Sequence, residues 1–495
     1  MDKVTDFLPV WIVALPLVMT FVILAVERRS EKLRNVLVVA AAAVTFLSVA
    51  ALYPHVIGGE IIRLQLFSLL PNLVVSFRVD VLSFSLSLLA SFVWLLVTVY
   101  SLEYMRHEHG CNRYYPILIA TLASCMGVFL AGDFLTLFVF FELMSLISYI
   151  LVVHEETLEA LRAGYKYLIL TIIGGLALFF GIIITFELGG SVSLESTPLI
   201  REPSPLALLA FLAYLIGFGM KAGMFPLHIW LPDAHPVAPS PASALLSGIM
   251  LKTGAYGLLR VIFHVFGSKL LLETGWTMLL SILAIISILL GSAVALTQED
   301  LKRRLAYSSI GQMGYILLGM TVLNERALLG DVFHIFSHAF MKSTLFLAAG
   351  AIILQTGKRK IKELAGVGRQ MPATMLAFSL AAISMMGIPP LSGFLSKWAL
   401  SLGALDAGKT YYVVVLLVSS LLNGLYYLPI IISAFFGKTE GEEGHGPARF
   451  NEVPPKMLVP VVLLALTTFL FGVLPWNVPF DLSQMTAEFL LRGGF

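Results

Sequence analysis

Fourteen apolar runs, each long enough to cross a bilayer as a helix, recur near residues 8–26, 35–53, 81–102, 115–131, 134–153, 165–187, 205–225, 238–263, 273–296, 305–323, 329–354, 373–403, 411–436 and 457–475. About 20 apolar residues span the roughly 30 Å of hydrocarbon. The runs therefore predict an all-α polytopic membrane protein with about fourteen transmembrane helices. The chain is 58% hydrophobic and only 13% charged, which a soluble domain of this length would not be. The first run is too long, and too poorly flanked by small residues, for a removable signal, so it reads as a resident helix. Cys111 and Cys125 lack metal-ligand or redox spacing. No GxxxxGK[ST] phosphate loop is present, so direct use of ATP is not expected. The expectation is a chain with no cofactor, no metal and no hydrolytic or redox site of its own.

The distribution of basic residues orients the chain. Of 32 lysines and arginines, 19 fall in odd-numbered loops and 8 in even-numbered loops and the two tails. By the positive-inside rule both termini face outward, and "QEDLKRR" and "GKRKIKE" face the cytoplasm. The longest loops, near 54–80 and 437–456, are too short for an independent domain. "TEGEEGHG" at 439–446 reads as a solvated acidic loop. Residues 1–495 thus form a single membrane domain. The remaining five basic residues, Lys221, Lys252, Arg260, Lys342 and Lys397, fall inside predicted spans.

Two spans are interrupted by proline. The seventh runs into "GFGMKAGMFPLHIWLPDAHPVAPSPASALL", with Lys221 before Pro226; the twelfth contains "MMGIPPLSGFLSKW", with Pro389 and Pro390 before Lys397. They lie five spans apart and so cross in opposite senses. Paired broken helices of this kind point to inverted repeats with a site at the midplane. The repeats would cover residues 114–263 (spans 4–8) and 264–436 (spans 9–13), preceded by three helices in 1–113 and followed by a loop and span 14 in 437–495. Kinks that serve packing alone are the alternative.

A charge at mid-bilayer costs a few kcal/mol even on lenient scales and should find a partner inside the protein. Glu142 is the one carboxylate placed near the middle of a span, with Ser145 and Tyr149 on its helical face. Lys221 is its natural partner; a purely structural ion pair is the alternative. Lys252 lies deep in the eighth span, with Tyr256 one turn on, whereas Arg260 is close enough to the end to snorkel. His334, His338 and Lys342 follow at four-residue steps and make one polar stripe roughly 12 Å long. Two histidines so spaced could ligate a metal or haem, but the lysine repels a cation and no third ligand is near in sequence. A structural histidine pair stays open beside a proton path.

Together these residues suit a proton relay. At about 6 Å and an effective dielectric of about 20, a Glu–Lys pair interacts by roughly 2.8 kcal/mol, a factor of about a hundred in a binding equilibrium. Moving the partner by a few ångströms would switch proton occupancy, and backbone freed by the breaks would hold water. Sodium suits this route poorly, since a hard cation wants several oxygen ligands.

"FFELMSLISYIL", "GMKAGMFPLHIWLPDAHPVAPSPASALLSGIMLKTGAY", "DLKRRLAYSSIGQMGYILLG", "FHIFSHAFMKSTLFLAAG" and "GIPPLSGFLSKW" resemble the antiporter-like membrane subunits of complex I, Mrp-type antiporters and membrane-bound hydrogenases. The resemblance covers roughly residues 75–435. It implies a fourteen-helix subunit with two inverted five-helix repeats, each offering a half-channel to one side, within a larger complex. Glu142 and Lys221 match the family's glutamate and its partner lysine, Lys252 the central lysine, and His334 and His338 the eleventh-helix histidines. Lys397 falls where some members carry glutamate. A lysine there, with no long extension after span 14, is most similar to the D-type Mrp subunit or its hydrogenase counterpart. Lys342 completes the expected path. The implied partners are other membrane subunits, attached to a hydrogenase, another redox module or no redox module at all, in a prokaryotic-type cell membrane. The implied cargo is protons, any sodium moving through partner subunits; nucleic acid is not expected. A self-contained secondary transporter of a small solute and a non-conducting scaffold are the alternatives.

Overall fold

The structure, a computed structural model, describes residues 3–27, 29–70, 73–195, 198–437, 450–474 and 478–493. The loop expected at 439–446 lies outside the described residues, as do Arg28, Lys438 and Arg449 of the basic residues that orient the chain. The helices are α1 (Lys3–Val26), α2 (Glu31–Ala50), α3 (Val81–Tyr104), α4 (Cys111–Leu130), α5 (Phe134–Val152), α6 (Leu158–Gly189), α7 (Pro205–Ala222) and α8 (Leu231–Val237). They continue with α9 (Ser240–Thr274), α10 (Thr277–Thr297), α11 (Leu301–Gly319), α12 (Glu325–Thr356), α13 (Pro372–Met386), α14 (Ser392–Asp406), α15 (Thr410–Phe436), α16 (Pro455–Val473) and α17 (Val478–Leu491).

Among the described residues, twelve helical segments are long and apolar enough to cross a membrane. The other two expected spans are also helical. The tenth, α11, opens on Lys302, Arg303 and Arg304 and carries Ser308, Ser309 and Gln312, too polar a run to count by apolarity. The twelfth is divided into α13 and α14, each too short alone.

The structure adds two elements to the expected spans, helix α17 (Val478–Leu491) after the fourteenth and a hairpin before the third. Strands β1 (Ile62–Leu70) and β2 (Leu73–Val79) pair antiparallel in the long connection before α3, where the sequence alone shows only a loop. Val, Ile and Phe at these positions suit a pleated, half-buried surface.

The hairpin delivers Asp80 to the start of α3, where its carboxylate accepts from the Ser83 amide at 3.0 Å and caps the helix. The same carboxylate accepts from both terminal nitrogens of Arg260, each at 2.8 Å, and lies 3.0 Å from Arg78 Nε. Arg260 is fully buried, so it does not snorkel. A forked guanidinium meeting a carboxylate is a better solution at this depth than a long reach to water. Tyr256 belongs to this cluster too, accepting from Arg260 Nε at 3.1 Å and donating to the Phe129 carbonyl at 2.8 Å. It does not extend the Lys252 face.

Both proline interruptions are real breaks. Helix α7 ends at Gly223 (φ +70°) and the chain passes Pro226 and a short 3₁₀ turn before α8. Helix α13 ends at Gly387 (φ +84°) and passes Pro389 and Pro390 before α14. A left-handed residue at a helix end is comfortable only without a Cβ. Across the first break the Trp230 indole donates to the Met220 carbonyl at 3.1 Å, tying the two halves together.

Asp80→Ala, which strands two buried guanidiniums, is expected to cost about 3–5 kcal/mol, whereas Asp406→Ala, which breaks the exposed Arg326–Asp406 pair, is expected to cost less than about 1 kcal/mol. Thermal melts of the two variants in detergent, beside the parent, check the contrast.

Candidate functional site

The first cluster is built by α5, α6 and α7. Lys221 closes α7 just before the break and is fully buried. Its ammonium donates to the Tyr167 hydroxyl at 2.6 Å and to Ser145 Oγ at 3.1 Å. Tyr167 is linked in turn to Ser148 at 2.8 Å. Glu142, the partner expected from the sequence, is on the adjoining face of α5 but forms no hydrogen bond or ion pair with Lys221 in this conformation. Its Oε1 is buried without a hydrogen-bond partner. The carboxylate has room because α6 presents Gly175, where a Cβ would overlap it. Tyr149 does not complete the polar stripe; it lies against Gly164, and the phenol that serves the lysine is Tyr167 from α6.

The second cluster joins α9 to α12. Residues Leu246–Met250 of α9 are wound as a π-helix, as are Val261–Phe266. Lys252 follows the first of these widened turns and donates to the Ser247 carbonyl at 2.7 Å. It also lies 2.9 Å from His338 Nδ1 on α12. A Cβ at Gly248 would strike Ser343, so the bare glycine is what lets the two helices approach here.

From His338 the polar line continues outward. The His334 and His338 rings are parallel within 2° with centroids 6.0 Å apart. His334 Nδ1 meets Ser396 Oγ at 2.9 Å on α14. The next residue, Lys397, donates to the Met385 carbonyl at 2.7 Å and to Ser420 Oγ at 3.1 Å. Its ammonium sits 4.9 Å from the centre of the Tyr315 ring, which is also 5.5 Å from His334. Lys342 takes a separate direction, donating to the Leu305 carbonyl at 2.8 Å and to Ser308, which pairs with Tyr427 at 2.9 Å. The expected stripe of His334, His338 and Lys342 is present, but each member serves a different neighbour. Pro226, Pro389 and Pro390 shape the breaks beside Lys221 and Lys397.

Five functional candidates carry no distinguishing signal in the sequence. Tyr167 has been described. His235 in α8 is fully buried against Phe346, with both ring nitrogens unpaired; it sits in a stretch whose prolines dominate its pattern. Gln312 on α11 is fully buried with both amide atoms unpaired. Asp331 on α12 is fully buried with neither oxygen paired. Lys302, by its sequence one more loop charge, is buried and donates to the Ala238 carbonyl at 2.6 Å. It lies at a cleft of about 990 Å³ that also holds Glu108, Glu155, Asp300 and Arg359, all from odd-numbered loops or the adjoining helix ends. Burial, with the neighbouring Glu155 carboxylate, raises the Glu108 carboxyl above its usual range.

Known proteins share this plan. Residues 131–423, more than half of the chain, match the family described as NADH:quinone oxidoreductase/Mrp antiporter, TM. The chain belongs to this family. Residues 70–115 also match the N-terminal region of complex I chain 5. The chain is 34% identical to the N-type subunit of the NADH-quinone oxidoreductase of Desulforudis audaxviator, over 96% of this chain and 100% of that one. It is 32% identical to the D-type subunit of the Na(+)/H(+) antiporter of Alkalihalophilus pseudofirmus, over 79% of each. The fold matches the Mrp complex from Dietzia sp. with a TM-score of 0.89 at 24% identity, covering 99% of this chain and 98% of that one. The chain is thus a multi-pass, antiporter-like membrane subunit, and its likeness to the D-type antiporter subunit is shared with the N-type oxidoreductase subunit.

Tyr167→Phe removes the shorter of the two Lys221 hydrogen bonds and is expected to cost about 1–3 kcal/mol, whereas Tyr149→Phe is expected to fall within about 0.5 kcal/mol of the parent. Denaturation midpoints of the two variants check which tyrosine serves the lysine.

Proposed function

We propose that this subunit carries protons across a prokaryotic plasma membrane along Glu142, Lys221, Lys252, His338, His334 and Lys397, with Lys342 as a branch toward the odd-loop face. The observation that carries the reading is the 2.9 Å contact between Lys252 and His338. It joins the two proposed inverted repeats, residues 114–263 and 264–436, at a pair of groups that both gain and lose protons. Among the described residues, neither the three axis lysines nor Lys342 lies in an ion pair; each is held by hydroxyls, carbonyls or an imidazole. A lysine held by neutral acceptors can release its proton without leaving a bare carboxylate behind. The cleft at Lys302 supplies access from the odd-loop face, which the excess of basic residues assigns to the cytoplasm, with both termini outside.

The alternatives predict other geometry. A scaffold would fix its buried charges as static pairs, as Asp80 and Arg260 are, and the axis lysines are not so fixed. A solute carrier would gather its polar groups around a substrate-sized chamber at the centre of the span; here Lys252, His338, His334 and Lys397 follow one another from α9 to α14, and the space beside Tyr315 is only about 10 Å³. The partners are other membrane subunits, with a redox module in some assemblies and any sodium crossing elsewhere in the complex. Proton donors dominate this line, and a hard cation needs oxygen ligands.

The test is cation-dependent proton movement in inverted vesicles or proteoliposomes containing the whole complex. Glu142→Ala, Lys221→Ala and Lys252→Ala, each confirmed to assemble, are expected to lower the rate by about tenfold or more, the low end of what a positioned acid or base contributes or below it. Parental transport in all three would remove the chain from the proton path.

A further inference from the structure

The relay above leaves Asp331 unused. It lies on α12 three residues before His334 and seven before His338, which places it on the His338 face about 4.5 Å nearer the helix start than His334. It is fully buried, and neither carboxyl oxygen has a hydrogen-bond partner. An unpaired carboxyl inside a membrane helix is costly, and such groups mark ion and proton routes. Packing leaves it a place to act. The residue opposite on α11 is Gly319, where a Cβ would come within 3.0 Å of Asp331 Oδ1. Gly319 and Leu400 also wall a small, mostly apolar cavity of about 10 Å³ lined by Tyr315 and Tyr412.

That cavity lies between the relay and the even-loop face. On its inner side the Tyr315 ring touches His334 and Lys397. On its outer side the Tyr412 hydroxyl donates to Ser281 at 2.6 Å and lies 3.2 Å from Thr321, whose carbonyl accepts from Lys409 at 3.0 Å. Thr321 and Lys409 stand in the short connections before α12 and α15, opposite in sense to the cleft at Lys302.

Resting on the proton-carrying reading, we propose that Asp331 is a proton-carrying carboxyl of the second repeat that passes protons between His334 and the membrane face bearing residues 320–324 and 407–409. In each transfer, carried by water between the two side chains, the His334 imidazolium gives up an N–H proton and the Asp331 carboxylate gains one, leaving neutral imidazole and carboxylic acid. The acid then gives its proton to water reaching it from that face and returns to carboxylate. Transfer in the other direction reverses both steps.

The experiment compares Asp331→Asn and Asp331→Glu with Lys252→Ala, in the whole complex reconstituted into proteoliposomes, after each variant is shown to assemble. Asparagine keeps the shape but carries no exchangeable acid proton, so Asp331→Asn is expected to slow proton translocation about tenfold or more. Asp331→Glu, which restores the acid, is expected to keep a rate within about threefold of the parent, against that loss. Parental transport in Asp331→Asn beside an inactive Lys252→Ala would overturn this role while leaving the relay standing. Parental transport in both would overturn the relay and this role together. Equal loss in Asp331→Asn and Asp331→Glu would mean that the site needs the aspartate's shape, and would also overturn the proposal. If Asp331→Asn does not assemble, Asp331→Ser takes its place with the same outcomes.

Discussion

An ammonium inside hydrocarbon must have acceptors, and in this protein the acceptors are neutral. Lys252 is held by the Ser247 carbonyl, Lys342 by the Leu305 carbonyl, Lys397 by the Met385 carbonyl and Lys221 by two hydroxyls. Unpaired, each charge would cost several kcal/mol. Paired with a carboxylate, each would be locked in the manner of Arg260 and Asp80. Neutral oxygens lie between these limits. They stabilise the ammonium by hydrogen bonds, yet they remain uncharged partners when the lysine gives up its proton. Glu142 lies close by but unbonded in this conformation.

Irregular backbone makes this arrangement possible. A regular helix uses its carbonyls internally, so a lysine on a straight span finds few acceptors in the main chain. The π segment at Leu246–Met250 precedes Lys252, and the break after Met386 exposes the end of α13 to Lys397. The small residues follow from the same need. Gly175 makes room for the Glu142 carboxylate, and Gly248 lets α9 approach α12 where Lys252 meets His338. Fixed pairs occupy other places, as where Asp80 clamps Arg78 and Arg260 beside the hairpin that leads into α3.

Whatever lies within one segment is legible in the sequence. Charges stand out in apolar runs, prolines mark breaks, and four-residue spacing aligns His334, His338 and Lys342. Pairing between distant segments is not legible. Asp80 and Arg260 are separated by 180 residues, and nothing local to Arg260 distinguishes a clamped guanidinium from one that snorkels. Tyr167 looks like any apolar-helix tyrosine, while Tyr149 looks better only because it shares a helix with Glu142. His235 and Lys302 are overshadowed by their surroundings, prolines in one case and a basic loop in the other. Asp331 lies near the end of its predicted run, where a carboxylate ordinarily reaches water, and only the packing of distant segments, Gly319 of α11 among them, buries it. The hairpin escapes notice because short alternating strands between membrane helices carry a weaker signal than the spans around them.

The central claim is that the line from Lys252 to Lys397 is wet enough to conduct protons. Gln312, Ser343 and the outer nitrogens of His334 and His338 are buried without protein partners, and buried polar groups of this kind hold ordered water. A high-resolution cryo-electron-microscopy map of the whole complex tests this directly. The account predicts ordered waters on those atoms, linking the Lys252–His338 contact to Lys397. A well-resolved map with no water between these groups, and with side chains repacked to satisfy one another, would contradict it.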